Sequence, residues 1–202
     1  MRNPNTSTKT SAPVSLHQHA EDNLKYIRDA MESATSFTGV SGKGYVFAGI
    51  SALAAAWLAA QQTSTTAWLG VWMAELVLAA AAALAMTAFK ARSQGSSLWS
   101  SNGIKLLLAF LPGMMAGGIF TLTLYIRGDL TLLPGIWMCL YGASVMTAGV
   151  HSVRVIPVMG ALFIVAGALV LLTPLPANTM LGLALGLLHI LFGIIVWRNH
   201  GG

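Results

Sequence analysis

Glu75 and His189 are the ionisable residues that this sequence sets deep inside long apolar runs. A charge-capable side chain in the hydrocarbon of a bilayer is costly, so its presence marks a candidate working residue. Glu75 lies about eight residues into the apolar run 67–89, and His189 about eleven into the run 178–197. If both runs are helices entering from the same side, a rise of about 1.5 Å per residue leaves their depths only a few ångströms apart. Brought together, the carboxyl and the imidazole would form a hydrogen bond or ion pair able to exchange a proton near neutral pH. The competing reading is structural: a polar contact alone, or a carboxyl capped by a hydroxyl such as Ser51, Thr87 or Ser144. Two such side chains fall short of the three protein donors a metal site needs, so no metal is expected.

Other residue patterns fail as chemistry. His17 with Glu21 and His19 with Asp22 are spaced to approach one cation, but they read as surface charges. Gly39-Val40-Ser41-Gly42-Lys43-Gly44 imitates a phosphate loop. Phe37 stands where its first glycine belongs, Gly44 replaces the required hydroxyl residue, and an apolar run follows instead of a strand–loop–helix unit. The stretch 37–43 is expected to be a flexible joint, with Lys43 near lipid phosphates. Cys139, the single cysteine, excludes an intrachain disulfide and a multi-cysteine metal or iron–sulfur site, and reads as a packing residue. No G-x-S-x-G, H-E-x-x-H or C-x-x-C occurs, and neither a cofactor nor an enzymatic activity is expected.

The elements that must hold these residues follow from composition. The chain has 202 residues, 55% hydrophobic and only 8% charged, with a mean hydropathy of +0.70. A soluble domain carries about 25% charged residues. Six runs, near 44–61, 67–89, 104–126, 130–150, 153–173 and 178–197, are apolar on all faces and long enough to cross about 30 Å of hydrocarbon. The expected fold is therefore all-α: a polytopic membrane protein whose transmembrane domain, 44–197, has six helices, with a short tail at 198–202. Residues 1–14, rich in Asn, Thr and Ser, are expected to be disordered. Leu16, Ala20, Leu24, Ile27, Met31 and Ala34 recur at helical spacing, which predicts one amphipathic helix over 15–36 with Ser15 as N-cap. Such a helix lies on the membrane or bundle, or docks a protein partner.

Charge sets the expected orientation. With the N-terminus inside, Arg2, Lys9, Lys25, Arg28, Lys43, Lys90, Arg92, Lys105, Arg154 and Arg198 all fall inside, and Arg127 alone falls outside. That asymmetry predicts a cytoplasmic-membrane protein with both termini in the cytoplasm and gives no nucleic-acid patch. Trp57, Trp68, Trp72, Trp137 and Tyr125 then read as outer interfacial anchors, and Tyr45, Trp99 and Trp197 as inner ones. Helix association in lipid rests on small residues, so Gly113 with Gly117 and Gly182 with Gly186 are the predicted packing sites, within one chain or between copies of it. Pro112 is the hinge candidate, well inside the third run. Short outer connections make three hairpins in series the simplest arrangement.

The stretch Asn23-Leu24-Lys25-Tyr26-Ile27-Arg28-Asp29-Ala30-Met31-Glu32 with Ser36 to Gly44, and later Leu133-Pro134-Gly135-Ile136-Trp137, Leu140-Tyr141-Gly142 and Ser152 to Gly160, resembles a family of bacterial inner-membrane proteins found mainly in Acidobacteria. The resemblance implies six membrane helices and no particular activity. The glycine-spaced stretch from Gly160 to Gly193, with Pro174, is similar more distantly to acid-stress membrane proteins of the HdeD type. The leading expectation is a non-enzymatic membrane scaffold, sensor or stress-related protein, with membrane lipids and a protein docked through 15–36 as partners. The alternative is a small proton-coupled carrier or channel using Glu75 and His189, and a membrane enzyme acting on lipid or quinone comes third.

Overall fold

The computed structural model describes residues 21–24, 26–27, 39–93, 95, 97 and 99–200. It divides into two units, Met1–Thr35 and Ser36–Gly202. In the first, residues 21–24 and 26–27 are helical, with Leu24, Tyr26 and Ile27 exposed. The predicted tail 1–14, the cap at Ser15, and His17 and His19 lie outside the described residues, as does most of the predicted 15–36 helix.

The second unit is built of helices: α1 (Gly42–Ala60), α2 (Thr65–Ser93), α3 (Ser101–Arg127), α4 (Leu133–Gly149), α5 (Val155–Leu172) and α6, which joins Ala177–Leu183, a π turn at Ala184–Leu188 and His189–His200. Five of them, α1, α2, α3, α5 and α6, are long and apolar enough to cross a membrane. α4, at 17 residues, is about 25 Å long and falls short of that measure. No strand occurs among the described residues.

Local chemistry explains the ends. Ser41 caps α1, its hydroxyl accepting from the backbone N–H of Gly44 at 3.2 Å, and Ser100 caps α3 through Gly103. Gly128, at φ 73°, closes α3 in the left-handed conformation that a side chain would resist. Asp129 then accepts from the N–H and hydroxyl of Thr131, at 3.0 and 2.6 Å, and shapes the turn into α4. Pro134 enters α4 in its first turn, where its missing N–H costs nothing. Of the stretch 37–43 expected to be a flexible joint, residues 37 and 38 lie outside the described residues. Val40, Ser41, Gly42 and Gly44 are buried, and Gly42 already belongs to α1.

Neighbouring helices run antiparallel. α1 packs on α2, α3 on α4, α4 on α5, and α6 on α1. The first two of these pairs match hairpins in series, but α5 packs mainly against α4 and α6 mainly against α1. The physical reason is a seven-residue repeat of small side chains. Gly42, Gly49 and Ala56 on α1 face Gly193, Gly186 and Gly182 on α6, and Gly135, Gly142 and Gly149 on α4 face α5 at Gly167, Gly160 and Pro157. A Cβ on Gly142 would stand 2.6 Å from the Gly160 carbonyl oxygen, and the converse distance is the same. The backbones therefore touch, as small-residue interfaces allow. Of the predicted packing glycines, Gly182 and Gly186 sit against Ala56 and Leu53, and Gly113 sits against Ser144, while Gly117 makes only ordinary contact with Leu140. Pro112 lies within α3, which runs unbroken through it.

The apolar core gathers Trp72, Met138, Val145, Ile156, Met159, Phe163, Leu181, Phe192 and Val196 from α2, α4, α5 and α6. α3 lies at the periphery: Gly103 is its one buried residue.

Candidate functional site

Glu75 is buried on the α1-facing side of α2, where Ser51 donates a 2.7 Å hydrogen bond to Oε1. The same Ser51 hydroxyl lies 3.1 Å from the Ala48 carbonyl one turn back on α1. Of the three hydroxyls that could cap the carboxyl, the structure selects Ser51. Thr87 accepts instead from the backbone N–H of Ser41 at 3.4 Å. Ser144 faces Gly113, and its Oγ is the buried side-chain polar atom left without a partner among the described residues.

His189 is buried in an aromatic nest formed by Tyr45, Tyr141 and Phe163, with ring centroids 5.7, 5.5 and 5.4 Å away. The π turn ends immediately before it. A π turn shifts the backbone ladder by one residue, and such turns cluster at functional positions. Here the His189 backbone N–H is directed to the Gly186 carbonyl, and ring Nδ1 takes the Leu185 carbonyl at 2.7 Å. A carbonyl only accepts, so Nδ1 carries the hydrogen of the neutral ring and Nε2 is the acceptor. Tyr141 accordingly donates its hydroxyl to Nε2 at 2.6 Å. Both ring nitrogens are satisfied within the bundle.

Glu75 and His189 are not hydrogen-bonded to each other. Ser51 lies on the side of α1 that meets α2, whereas Gly49, Leu53 and Ala56 lie on the side that meets α6. The two groups thus approach α1 from different sides. The sequence placed both at depth but had no means of showing which helices are neighbours.

A second polar centre was not anticipated. Asn178, at the start of α6, accepts from the indole N–H groups of Trp68 and Trp72 at 2.8 and 3.1 Å and donates to the Ala56 carbonyl at 3.1 Å. Trp68 stacks on Trp137 at 5.8 Å, and Trp137 donates to the Thr121 hydroxyl at 2.8 Å. Five helices, α1, α2, α3, α4 and α6, meet in this centre. Trp68, Trp72 and Trp137 therefore tie helices together, and Trp72 is only 3% exposed. Trp57 is 67% exposed. The sequence signal for this centre was Trp68 and Trp72 four apart, one helical turn, with an asparagine entering the last apolar run. Beside it lies an apolar groove of about 230 Å³ between α1 and α6, whose polar lining is Asn178 and Thr179.

No group of three His, Cys, Asp or Glu side chains among the described residues is placed to hold a metal ion. Cys139 packs on α5, with its sulfur 3.8 Å from the Ile164 carbonyl. Family models, curated proteins and solved structures give no match to this chain. The fold defines its class: an all-helical protein with several membrane-span-like helices.

Proposed function

We propose that this chain is a six-span, non-enzymatic scaffold or sensor of the bacterial cytoplasmic membrane, with both termini on the cytoplasmic side. α4 is the sixth span in this reading. Its length is short for lipid, but it lies between α3 and α5 and buries Leu133, Met138, Ser144, Val145 and Ala148, so protein covers much of its surface. The segment 15–36 is the element offered to a protein partner.

One observation carries the reading. Three polar side chains inside the bundle are each tied to another helix: Glu75 to Ser51, His189 to Tyr141, Asn178 to Trp68 and Trp72. A conducting pathway needs polar groups that follow one another through the span, whereas these form separate clips. Proton flux into liposomes containing the purified protein, read by an internal pH dye under an imposed gradient, tests this. The expected result is flux no greater than in protein-free vesicles. Flux that disappears in Glu75→Gln would overturn the scaffold reading and establish a proton-coupled carrier.

A further inference from the structure

Between residues 36 and 202 the sequence holds two carboxylate side chains, Glu75 and Asp129, against seven Lys and Arg. The antiparallel packing sorts these charges. Asp129 and Arg127 lie together at one end of the bundle, after α3. Lys43, Lys90, Arg92, Lys105, Arg154 and Arg198 lie at the other end, where α1, α3 and α5 begin and α2 and α6 finish. Glu75 lies between the ends, beside Ser51.

Within that basic end, the packing concentrates the cations further. Val40 and Ala91 form a small buried cluster on which Tyr45 and Leu106 pack. Lys105 precedes Leu106, Arg92 follows Ala91, and Lys43 lies three residues beyond Val40, so this cluster draws together the ends of three helices that each carry a cation. The ammonium of Lys43 stands 5.3 Å from the centre of the Trp197 ring, a cation–π contact that brings it beside Arg198. Lys43, Arg92, Lys105 and Arg198 are exposed. Lys90 is different: it is buried and donates to the Val40 carbonyl at 2.9 Å, holding the start of α1 against α2.

From this arrangement we infer that Lys43, Arg92, Lys105 and Arg198 form a surface that gathers anionic phospholipid headgroups around the basic end of the bundle. The inference rests on the membrane reading above and goes beyond orientation, which needs only that basic residues remain on one side. The occupant follows from charge and position. The four cations share no neighbouring carboxylate side chain within residues 36–202, and they terminate apolar helices, which is the level of the headgroups. Each Lys or Arg near an anionic surface favours association, and the attraction fades within a Debye length.

The test uses the full chain in phosphatidylcholine nanodiscs carrying a minor fraction of fluorescent phosphatidylglycerol, with energy transfer from the protein's tryptophans to the labelled lipid. An equally labelled phosphatidylcholine is the reference. Wild type is expected to enrich the anionic lipid by about fivefold, the ratio that one such contact supplies. Enrichment should fall in about 0.5 M sodium chloride. Lys43→Gln, Arg92→Gln, Lys105→Gln and Arg198→Gln combined should abolish it, whereas Arg127→Gln at the opposite end should leave it intact. Inorganic phosphate at matched ionic strength should compete no better than chloride; specific competition would assign the surface to free phosphate and overturn the proposal. Equal enrichment in wild type and the fourfold variant, or salt-insensitive enrichment in wild type alone, would also overturn it. Failure of the protein to remain with bilayers after alkaline washing would defeat the membrane reading itself, a result distinct from incorporation without lipid preference.

Discussion

At the scale of single residues, burial and partnership decide what each polar group does. Tyr141 donates to a histidine whose other nitrogen is already committed to Leu185. Tyr141→Phe therefore leaves Nε2 without its donor while preserving the ring contacts with Phe163 and Phe110. The expected loss is about 0.5–2 kcal/mol, the range for hydrogen bonds between membrane helices, measured by reversible unfolding in mixed micelles. Ser51→Ala should cost a similar amount by stripping Glu75 of its hydroxyl donor, and Glu75→Gln should cost less because its amide oxygen can still accept from Ser51. Asn178→Leu removes one acceptor shared by two indoles. Near-ultraviolet circular dichroism should lose the signal of ordered Trp68 and Trp72, and the protein should unfold more readily. Outside the spans, the hydrogen bonds from Thr131 hold the Asp129 carboxyl below its ordinary range. Because the folded value is the lower one, this turn's contribution is present above the unfolded carboxylate value of about 3.9 and is lost as pH falls through the folded value. Asp129→Asn should remove that acid sensitivity from the unfolding profile.

At the scale of elements, glycine spacing governs which helices pair. Gly142 and Gly160 let the backbones of α4 and α5 touch, so Leu at either position must push the helices apart. Gly142→Leu and Gly160→Leu should each destabilise by about 1–3 kcal/mol or more, the scale of overpacking in a close-packed interior. Gly70 and Gly118 meet nothing within 4 Å of an added Cβ. Ala at those positions should be neutral, or stabilising by up to about 1 kcal/mol through helix propensity. The contrast was partly legible in the sequence. Gly182 and Gly186 stand out through their four-residue spacing, and both are helix contacts. The seven-residue repeats from Gly42 to Ala56 and from Gly135 to Gly149 are equally present, yet spacing marks a face without saying which helix it meets. The same limit applied to Trp68, Trp72 and Trp137, whose type fits a lipid interface as well as an internal tie.

At the scale of the whole molecule, the antiparallel contacts place the 61–64 and 128–132 connections at the end opposite the finish of α2 and the start of α3. In a Cys139→Ala background, Ser64→Cys and Ser97→Cys should react with a membrane-impermeant maleimide from opposite sides of sealed vesicles. Labelling of both from one side would refute the proposed topology. Composition and hydropathy were enough to require an all-helical chain with several membrane-span-like segments, because an apolar backbone without water must satisfy its N–H and C=O groups within each helix. They also fixed where the charges fall, since a basic residue flanking an apolar run ends near that run's end whatever the packing. Tertiary structure alone decided that Glu75 pairs with Ser51 and His189 with Tyr141, and that α6 packs on α1. Those choices depend on the rotation of each helix about its axis and on its neighbours, and close contact between small residues on distant parts of the chain sets both.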